Sequence, residues 1–154
     1  MLPLVAESKS ALIIMHMQGT PRTMQLQPRY SDVIAEISEF FRQQYARAIG
    51  LSIDPMMIAF DPGIGFGKTL EHNLELLARL ERLREHDRAL VVGVSRKSFL
   101  GKLVGSPEVR DRLIPGLALT SLLRARGADV FRVHDVKENV DALQVTEAIL
   151  QRAK

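Results

Sequence analysis

The sequence predicts an α/β fold in which a strand followed by a helix occurs four times. Four apolar runs indicate this, because each has the length of a strand, lacks polar alternation and precedes a turn and a segment with helical spacing. Strands without polar alternation are typical of a parallel sheet that is buried on both faces. The predicted strands lie near residues 11–17, 56–61, 89–95 and 129–134.

The segments that follow these strands contain apolar residues at helical intervals. One apolar stripe predicts a helix near residues 31–49, and leucines three residues apart predict another near 71–86. A third helix should end at Gly127, because glycine readily takes the left-handed conformation that terminates helices. The last helix is predicted from apolar residues between positions 140 and 150.

The chain should form one domain over residues 1–154, because no linker, low-complexity tract or shift in composition divides it. Repeated βα units join parallel strands through right-handed crossovers. Two architectures fit this pattern, a small doubly wound sheet and part of a (β/α)8 barrel. A complete barrel takes about 250 residues, so this chain has the length for only half of one.

The composition excludes several classes of site. The chain has no cysteine, which rules out disulfides, thiolate catalysis and cysteine-ligated zinc and fits a cytoplasmic protein. The net charge is only +3 and the basic residues form no dense run, so we expect no nucleic-acid partner. The apolar runs are too short to span a membrane, so we expect no membrane association.

In both architectures, ligands bind at the carboxyl ends of the strands. Each predicted strand is directly followed by charged or other polar residues, which a purely structural sheet would not need four times over. These residues are His16, Gln18 and Arg22 after the first strand, Asp61 and Lys68 at the second, Ser95, Arg96, Lys97 and Ser98 after the third, and Arg132, His134 and Asp135 at the fourth.

The segment Asp61-Pro62-Gly63-Ile64-Gly65-Phe66-Gly67-Lys68 is the most informative of these strand ends. Its glycine spacing fits neither a phosphate-binding P-loop nor the dinucleotide-binding pattern Gly-x-Gly-x-x-Gly. One interpretation is a flexible turn with a capping role. The other is that Asp61 is a buried carboxylate beside backbone that a flat ligand approaches closely, where it accepts two parallel hydrogen bonds from an N–C–N edge.

Two further strand ends carry cations suited to an anion. Ser95-Arg96-Lys97-Ser98 begins a helix, and a helix N-terminus with nearby cations attracts anions, although a capped helix with solvated charges has the same pattern. Arg132 and His134 alternate along the last strand and should share one face as a cationic pair. His16 lies among apolar residues, so we expect a structural role for it rather than a catalytic one.

These segments resemble, in their order and spacing, the signatures of the dihydropteroate synthase family. They are Met15-His16-Met17-Gln18-Gly19-Thr20-Pro21, Asp61 through Lys68, Gly93-Val94-Ser95-Arg96-Lys97-Ser98 and Arg132-Val133-His134-Asp135-Val136. The resemblance covers nearly the whole chain and implies the second half of a (β/α)8 TIM barrel. It also implies a transferase of folate synthesis, which condenses 6-hydroxymethyl-7,8-dihydropterin pyrophosphate with 4-aminobenzoate and releases pyrophosphate.

The resemblance also implies roles for individual residues. Asp61 would hold the pterin edge, and Ser98 would meet the carboxylate of 4-aminobenzoate. Lys97, Arg132 and His134 would be catalytic, because cations stabilise the pyrophosphate that leaves before the aryl amine attacks. The implied substrate-binding set is Met15, Asp61, Gly65, Phe66, Gly93, Lys97, Ser98, Arg132 and His134.

Part of the family pattern has no counterpart in this sequence. Family members carry about four βα units before this point, including the asparagine that holds Mg²⁺, so we expect Mg²⁺ as cofactor but no metal ligand in this chain. Met1 falls just before the family's fifth strand, and we therefore expect a truncated enzyme, a fragment or a misassigned start that is inactive or impaired alone. A half barrel exposes two strand edges and an apolar face, so we expect a homodimer or other self-association.

Two other functions are open at the level of the sequence. A methyltransferase that acts on methyltetrahydrofolate would share the barrel and the pterin-binding aspartate, but Ser95-Arg96-Lys97-Ser98 is not expected in it. A non-catalytic half barrel could associate with itself or bind pterin without turnover.

Overall fold

A parallel sheet with the strand order β1-β2-β3-β4 forms the centre of the protein. The computed structural model describes residues 1–152, and residues 153–154 of the predicted domain lie outside them. The strands are β1 (Leu12–Met15), β2 (Ile58–Asp61), β3 (Ala89–Val92) and β4 (Val130–Phe131). All four predicted strands are confirmed, although each is shorter than predicted.

The part of the chain that the structure describes also contains six α-helices. They are α1 (Leu2–Ser8), α2 (Val33–Gly50), α3 (Leu70–Ala78), α4 (Ser98–Val104), α5 (Leu113–Ala125) and α6 (Val136–Leu150). The bounds of α2 agree with the predicted helix near 31–49, and α6 contains the apolar residues between 140 and 150 that predicted it but begins earlier, at Val136. The predicted end at Gly127 is also confirmed, because α5 stops at Ala125 and Gly127 follows with a φ of 91°.

The helix predicted near 71–86 was wrong in its second half. α3 ends at Ala78, and the chain continues as a 3₁₀ turn, Leu80–Leu83. Leucines three residues apart fit either conformation, since a 3₁₀ helix places positions i and i+3 above one another. Leu80 and Leu83 are both fully buried, so the 3₁₀ turn also contributes side chains to the hydrophobic core.

Side-chain caps fix where the helices begin. Asp32 precedes α2, and its carboxylate accepts a hydrogen bond of 2.9 Å from the backbone N–H of Ala35. Thr69 precedes α3 in a reciprocal arrangement, in which its hydroxyl accepts from the N–H of His72 and the His72 ring accepts from the N–H of Thr69. The second cap starts α3 directly after the segment 61–68.

One face of the sheet packs against the helices and forms the hydrophobic core. Phe60 on β2 stacks on Phe41 of α2 with ring centroids 4.6 Å apart, and both side chains are fully buried. Burial of such a side chain contributes roughly 2–3 kcal/mol to stability. The other core residues of the strands are Leu12, Ile14, Ile58, Leu90 and Val92.

The opposite face of the sheet is open at its outer strands, so the prediction that every strand is buried on both faces was wrong. Ile13 on β1 is 54% exposed and Val130 on β4 is 46% exposed. Both point away from the core, because residues alternate between the two faces of a strand. In a barrel this open face is the interior. Its carboxyl end carries Met15, Asp61, Gly93 and Arg132, all from the predicted binding set.

Within residues 1–152, none of the helices combines the length and the apolar character that a membrane crossing requires.

Candidate active site

Asp61 is the last residue of β2 and is only 3% exposed. Its Oδ1 accepts a hydrogen bond of 2.7 Å from the backbone N–H of Gly63. Gly63 has a φ of +67°, and a Cβ there would lie 1.9 Å from the carbonyl oxygen of His16, so only glycine allows this turn. Burial raises the pKa of Asp61, while the Gly63 hydrogen bond and then the nearby Arg132 act against this increase.

Three cations lie around this carboxylate, and two of them, Arg132 and Lys97, come from the turns after β4 and β3. The Nη2 atom of Arg132 is 4.0 Å from Oδ2 of Asp61. Arg132 reaches this position over Gly93, where a Cβ would lie only 2.8 Å from the same nitrogen. Lys97 Nζ lies 3.8 Å from the centre of the Phe66 ring, a cation–π contact. Burial and then the charge of Arg132 lower the pKa of Lys97.

Lys68 is a buried structural cation that the sequence did not reveal. It is 4% exposed, and its Nζ donates to the carbonyl oxygens of Gly63 at 3.1 Å and Phe66 at 3.0 Å. Nζ also lies 3.2 Å from Nδ1 of His16. Lys68 therefore joins the loop after β2 to the end of β1, and burial lowers its pKa to about 8.

His16 has the surroundings expected of a structural histidine. Its ring packs edge-on against Phe40 at a centroid distance of 5.0 Å. Burial and then the charge of Lys68 lower the pKa of His16 to about 4, so the ring is neutral at pH 7. A neutral Nδ1 can accept a hydrogen bond from the ammonium of Lys68.

Arg132 and His134, predicted to share one face, contact different partners in the structure. β4 ends at Phe131, so both residues lie in the turn beyond it. Arg132 approaches Asp61, whereas the Nδ1 atom of His134 lies 3.0 Å from the hydroxyl of Ser95. The backbone N–H of His134 also donates to that hydroxyl at 3.2 Å. His134 is thus held against the turn that follows β3.

Ser98 is the first residue of α4, which confirms that Ser95-Arg96-Lys97-Ser98 begins a helix. It is exposed and borders a cleft of about 770 Å³ that also contacts Gly65, Arg29 and Lys102. The loop opposite is held by Gln25, whose side-chain amide donates to the carbonyl oxygen of Gly65 at 2.7 Å. No sequence pattern identified Gln25 as part of this site, because the contact joins residues far apart in the chain.

The predicted binding residues fall into two groups. Six of them adjoin one another around the buried carboxylate and the phenyl ring: Asp61, Gly65, Phe66, Gly93, Lys97 and Arg132. Met15 is the register partner of Asp61 on β1. Ser98 lies one residue beyond Lys97 at the cleft, and His134 is linked to this group through Ser95.

The residues that the structure describes do not fit a magnesium site. Mg²⁺ needs several oxygen ligands in near-octahedral geometry. Residues 1–152 contain no cluster of three or more histidine, aspartate or glutamate side chains that could hold a metal ion.

The chain is similar to several dihydropteroate synthases. It is 46% identical to that of Escherichia coli K12 over 151 residues, which covers 97% of this chain and 52% of the relative. The enzyme of Neisseria meningitidis serogroup B is 42% identical over 149 residues, covering 95% of this chain and 52% of the relative. The chain thus spans about half the length of these curated relatives.

Solved structures give the same similarity. A Yersinia pestis dihydropteroate synthase with a sulfonamide drug complex superposes with a TM-score of 0.93 at 39% identity, covering 97% of this chain and 54% of that one. The Stenotrophomonas maltophilia enzyme with active site-bound imidazole also gives 0.93 at 39% identity, covering 96% and 56%. These matches confirm the four βα units as about half of a TIM barrel. Since residues 1–134 match the family described as pterin binding enzyme, the chain belongs to that family.

Proposed function

We propose that this chain is part of a dihydropteroate synthase, which joins 6-hydroxymethyl-7,8-dihydropterin pyrophosphate to 4-aminobenzoate. The observation that carries the proposal is the buried carboxylate of Asp61 at a strand end, with Arg132 4.0 Å away and Lys97 close by. The names of the curated relatives support the same activity.

Asp61 has the chemistry to bind a pterin edge. One of its oxygens accepts from Gly63, and the carboxylate keeps lone pairs for two parallel N–H donors of an N–C–N edge. The open face beside Asp61 leads to Met15 on β1, so a flat ring can lie across the strand ends. Such bonds are strong in a buried site because water competes poorly there.

Arg132, Lys97 and His134 have the chemistry to stabilise a leaving pyrophosphate. In the proposed reaction, the bond between the pterin methylene carbon and the pyrophosphate oxygen breaks, and the oxygen keeps the electron pair. Cations already in place lower the energy of the developing negative charge without reorganisation. The aryl nitrogen of 4-aminobenzoate then bonds to the electron-poor methylene carbon and loses a proton.

The cleft beside Ser98 is the proposed site for 4-aminobenzoate. Phe66 supplies an aromatic surface near it, and Lys97 lies between this ring and the pterin site. Arg29 and Lys102 line the same cleft, so the carboxylate of the substrate enters positive surroundings. In this arrangement Lys97 borders both substrates.

Three further features belong to the proposal for the complete enzyme. Its Mg²⁺ would be held by residues outside the half that this chain matches. The enzyme would be cytoplasmic. It would also form a homodimer or otherwise self-associate, which the exposed Val145 and Ile149 on α6 support, being 63% and 65% exposed.

The test is a pair of measurements on the chain 1–154. Calorimetric titration with 6-hydroxymethylpterin should give binding that Asp61→Asn strongly weakens, with Asp141→Asn as the control variant. Pyrophosphate release with 4-aminobenzoate should be absent or much slower than for a full-length relative. A folded chain that binds neither pterin nor pyrophosphate would overturn the proposal, and full turnover would contradict the expected impairment.

The same measurements separate the alternative functions. Binding of pterin with no turnover, even when the remaining half of a relative is supplied, would favour a non-catalytic half barrel. A methyltransferase that acts on methyltetrahydrofolate is not favoured, since the curated relatives are dihydropteroate synthases.

A further inference from the structure

Two links join the turn after β3 to the turn after β4. The guanidinium of Arg96 binds the carboxylate of Asp135 through two hydrogen bonds, of 3.1 Å and 2.5 Å. One residue earlier in each turn, the hydroxyl of Ser95 meets the ring of His134 at 3.0 Å. The ion pair therefore lies directly beside the contact that holds a proposed catalytic residue.

The backbone of Arg96 is in a conformation that requires support. Its φ is +56°, in the left-handed region that residues with a Cβ seldom adopt. Its carbonyl oxygen accepts a hydrogen bond of 3.1 Å from Arg112, so both its backbone and its side chain are held. Lys97 is the next residue in this turn, and its Nζ lies over the Phe66 ring.

Asp135 is attached to the helical framework on its other side. Its carbonyl oxygen accepts a hydrogen bond of 2.7 Å from the side-chain amide of Asn139 on α6. Asn139 is 5% exposed, and its Oδ1 accepts from the hydroxyl of Thr120 on α5 at 2.7 Å. Asp135 is therefore a fixed point to which the side chain of Arg96 binds.

We propose that Arg96 and Asp135 are a pair of positioning residues, which hold the turn 95–98 against the turn 132–135 and so place His134 and Lys97 for the anion. This role rests on the proposed function. Arg96 is 44% exposed, and partly exposed ion pairs contribute little to the stability of a fold. The consequence of breaking the pair is thus local, at Ser95, His134 and Lys97.

The first test follows the ring of His134 by ¹⁵N NMR of histidine-labelled chain without ligand. Arg96→Gln and Asp135→Asn should each shift the His134 ring signals, and the double variant should shift them no further, because either change breaks the same pair. The ring signals of His16, His72 and His86 should keep their chemical shifts. Asp141→Asn breaks the Lys137–Asp141 pair on α6 and is the matched control, which should leave His134 unchanged.

The second test compares two probes by calorimetry. Both pair variants should weaken binding of inorganic pyrophosphate tenfold or more, while binding of 6-hydroxymethylpterin changes less than twofold. Arg96→Lys keeps the charge but loses the two-bond geometry. It should therefore weaken pyrophosphate binding as Arg96→Gln does, but by a smaller factor. A merely structural role would weaken both probes together and lower the thermal midpoint.

The outcomes separate this inference from the proposed function. Unmoved His134 signals in both pair variants overturn the inference, and so does a uniform shift of all four histidines, which indicates general unfolding. If the unmodified chain binds neither probe, the proposed function fails, yet the NMR signals still decide whether the pair positions His134.

Discussion

Asp61 and Arg132 approach to 4.0 Å across β3, although Asp61 ends β2 and Arg132 lies just beyond β4. The glycine between them, Gly93, leaves the space through which the guanidinium reaches the carboxylate. Lys97 adds a second positive charge that favours the ionised form of Asp61. The buried acid, the cations around it and the glycine that admits Arg132 thus form one electrostatic unit.

Asp61→Asn should weaken binding of 6-hydroxymethylpterin by about 2–4 kcal/mol, because a neutral amide presents one acceptor oxygen where the carboxylate presents two. The fold should be as stable as before, since the amide can still accept from Gly63 and a buried charge is removed. Calorimetric titration and thermal unfolding measure the two effects. Because burial raises the pKa of Asp61, pterin binding should weaken on acidification at a higher pH than an exposed aspartate would require. Unchanged affinity in the variant would contradict the role.

Gly93→Ala should weaken binding of inorganic pyrophosphate by about tenfold, or ~1.4 kcal/mol, because the new methyl group displaces Arg132. No backbone strain is expected, since the φ of Gly93 lies outside the left-handed region. Gly116→Ala on α5 is the control, because a Cβ there meets nothing within 4 Å and alanine favours helix. Equal effects of the two substitutions on pyrophosphate binding would count against the steric explanation.

Lys68→Met should destabilise the fold by about 2–4 kcal/mol, because it leaves the buried carbonyl oxygens of Gly63 and Phe66 without their donor. Methionine keeps the length of the side chain, so the loss is mainly of hydrogen bonds rather than of volume. Lys102→Met, at an exposed position of α4, should change stability by less than about 0.5 kcal/mol. Denaturant unfolding of the two variants makes the comparison, and similar midpoints would show that Lys68 is dispensable.

His16 should make the fold less stable as the pH falls from 6.5 toward 4. The unfolded chain takes up a proton near pH 6.5, whereas burial holds the pKa of folded His16 at about 4, so protons favour the unfolded state in this window. The expected loss is about 1–3 kcal/mol. His16→Gln keeps an acceptor for Lys68 and should remove this part of the pH dependence. Denaturant unfolding at pH 7 and pH 5 tests it, and parallel losses in both proteins would refute it.

The features predicted most accurately from the sequence are those that a short segment determines without help from the rest of the chain. Gly127 ends α5 because a single residue controls that conformation, and the apolar runs found all four strands. The break after Ala78 escaped prediction because the leucine spacing fits two helix types. The exposure of Ile13 escaped it as well, since an apolar run does not tell which of its faces is covered.

The sequence indicated which residues lie near one another at the strand ends better than it indicated their contacts. Asp61 followed from its place at a strand end, and the structure places it there, buried as expected. The inward direction of Lys68 depends on a loop of positive-φ glycines that no periodicity describes. The partners of Arg132 and His134 escaped prediction, because their contacts with Asp61 and Ser95 join residues far apart in the chain.

The position of Arg132 beside Asp61, with Lys97 nearby, has a consequence for how the two products of the proposed reaction affect each other's binding. An anion bound to these cations takes from Asp61 the positive charge that favours its ionised form, so the anion and the pterin ring oppose each other's binding. Such coupling is reciprocal. Release of either product should therefore raise the affinity for the other by the same factor, which titration of pyrophosphate with and without a bound pterin would measure.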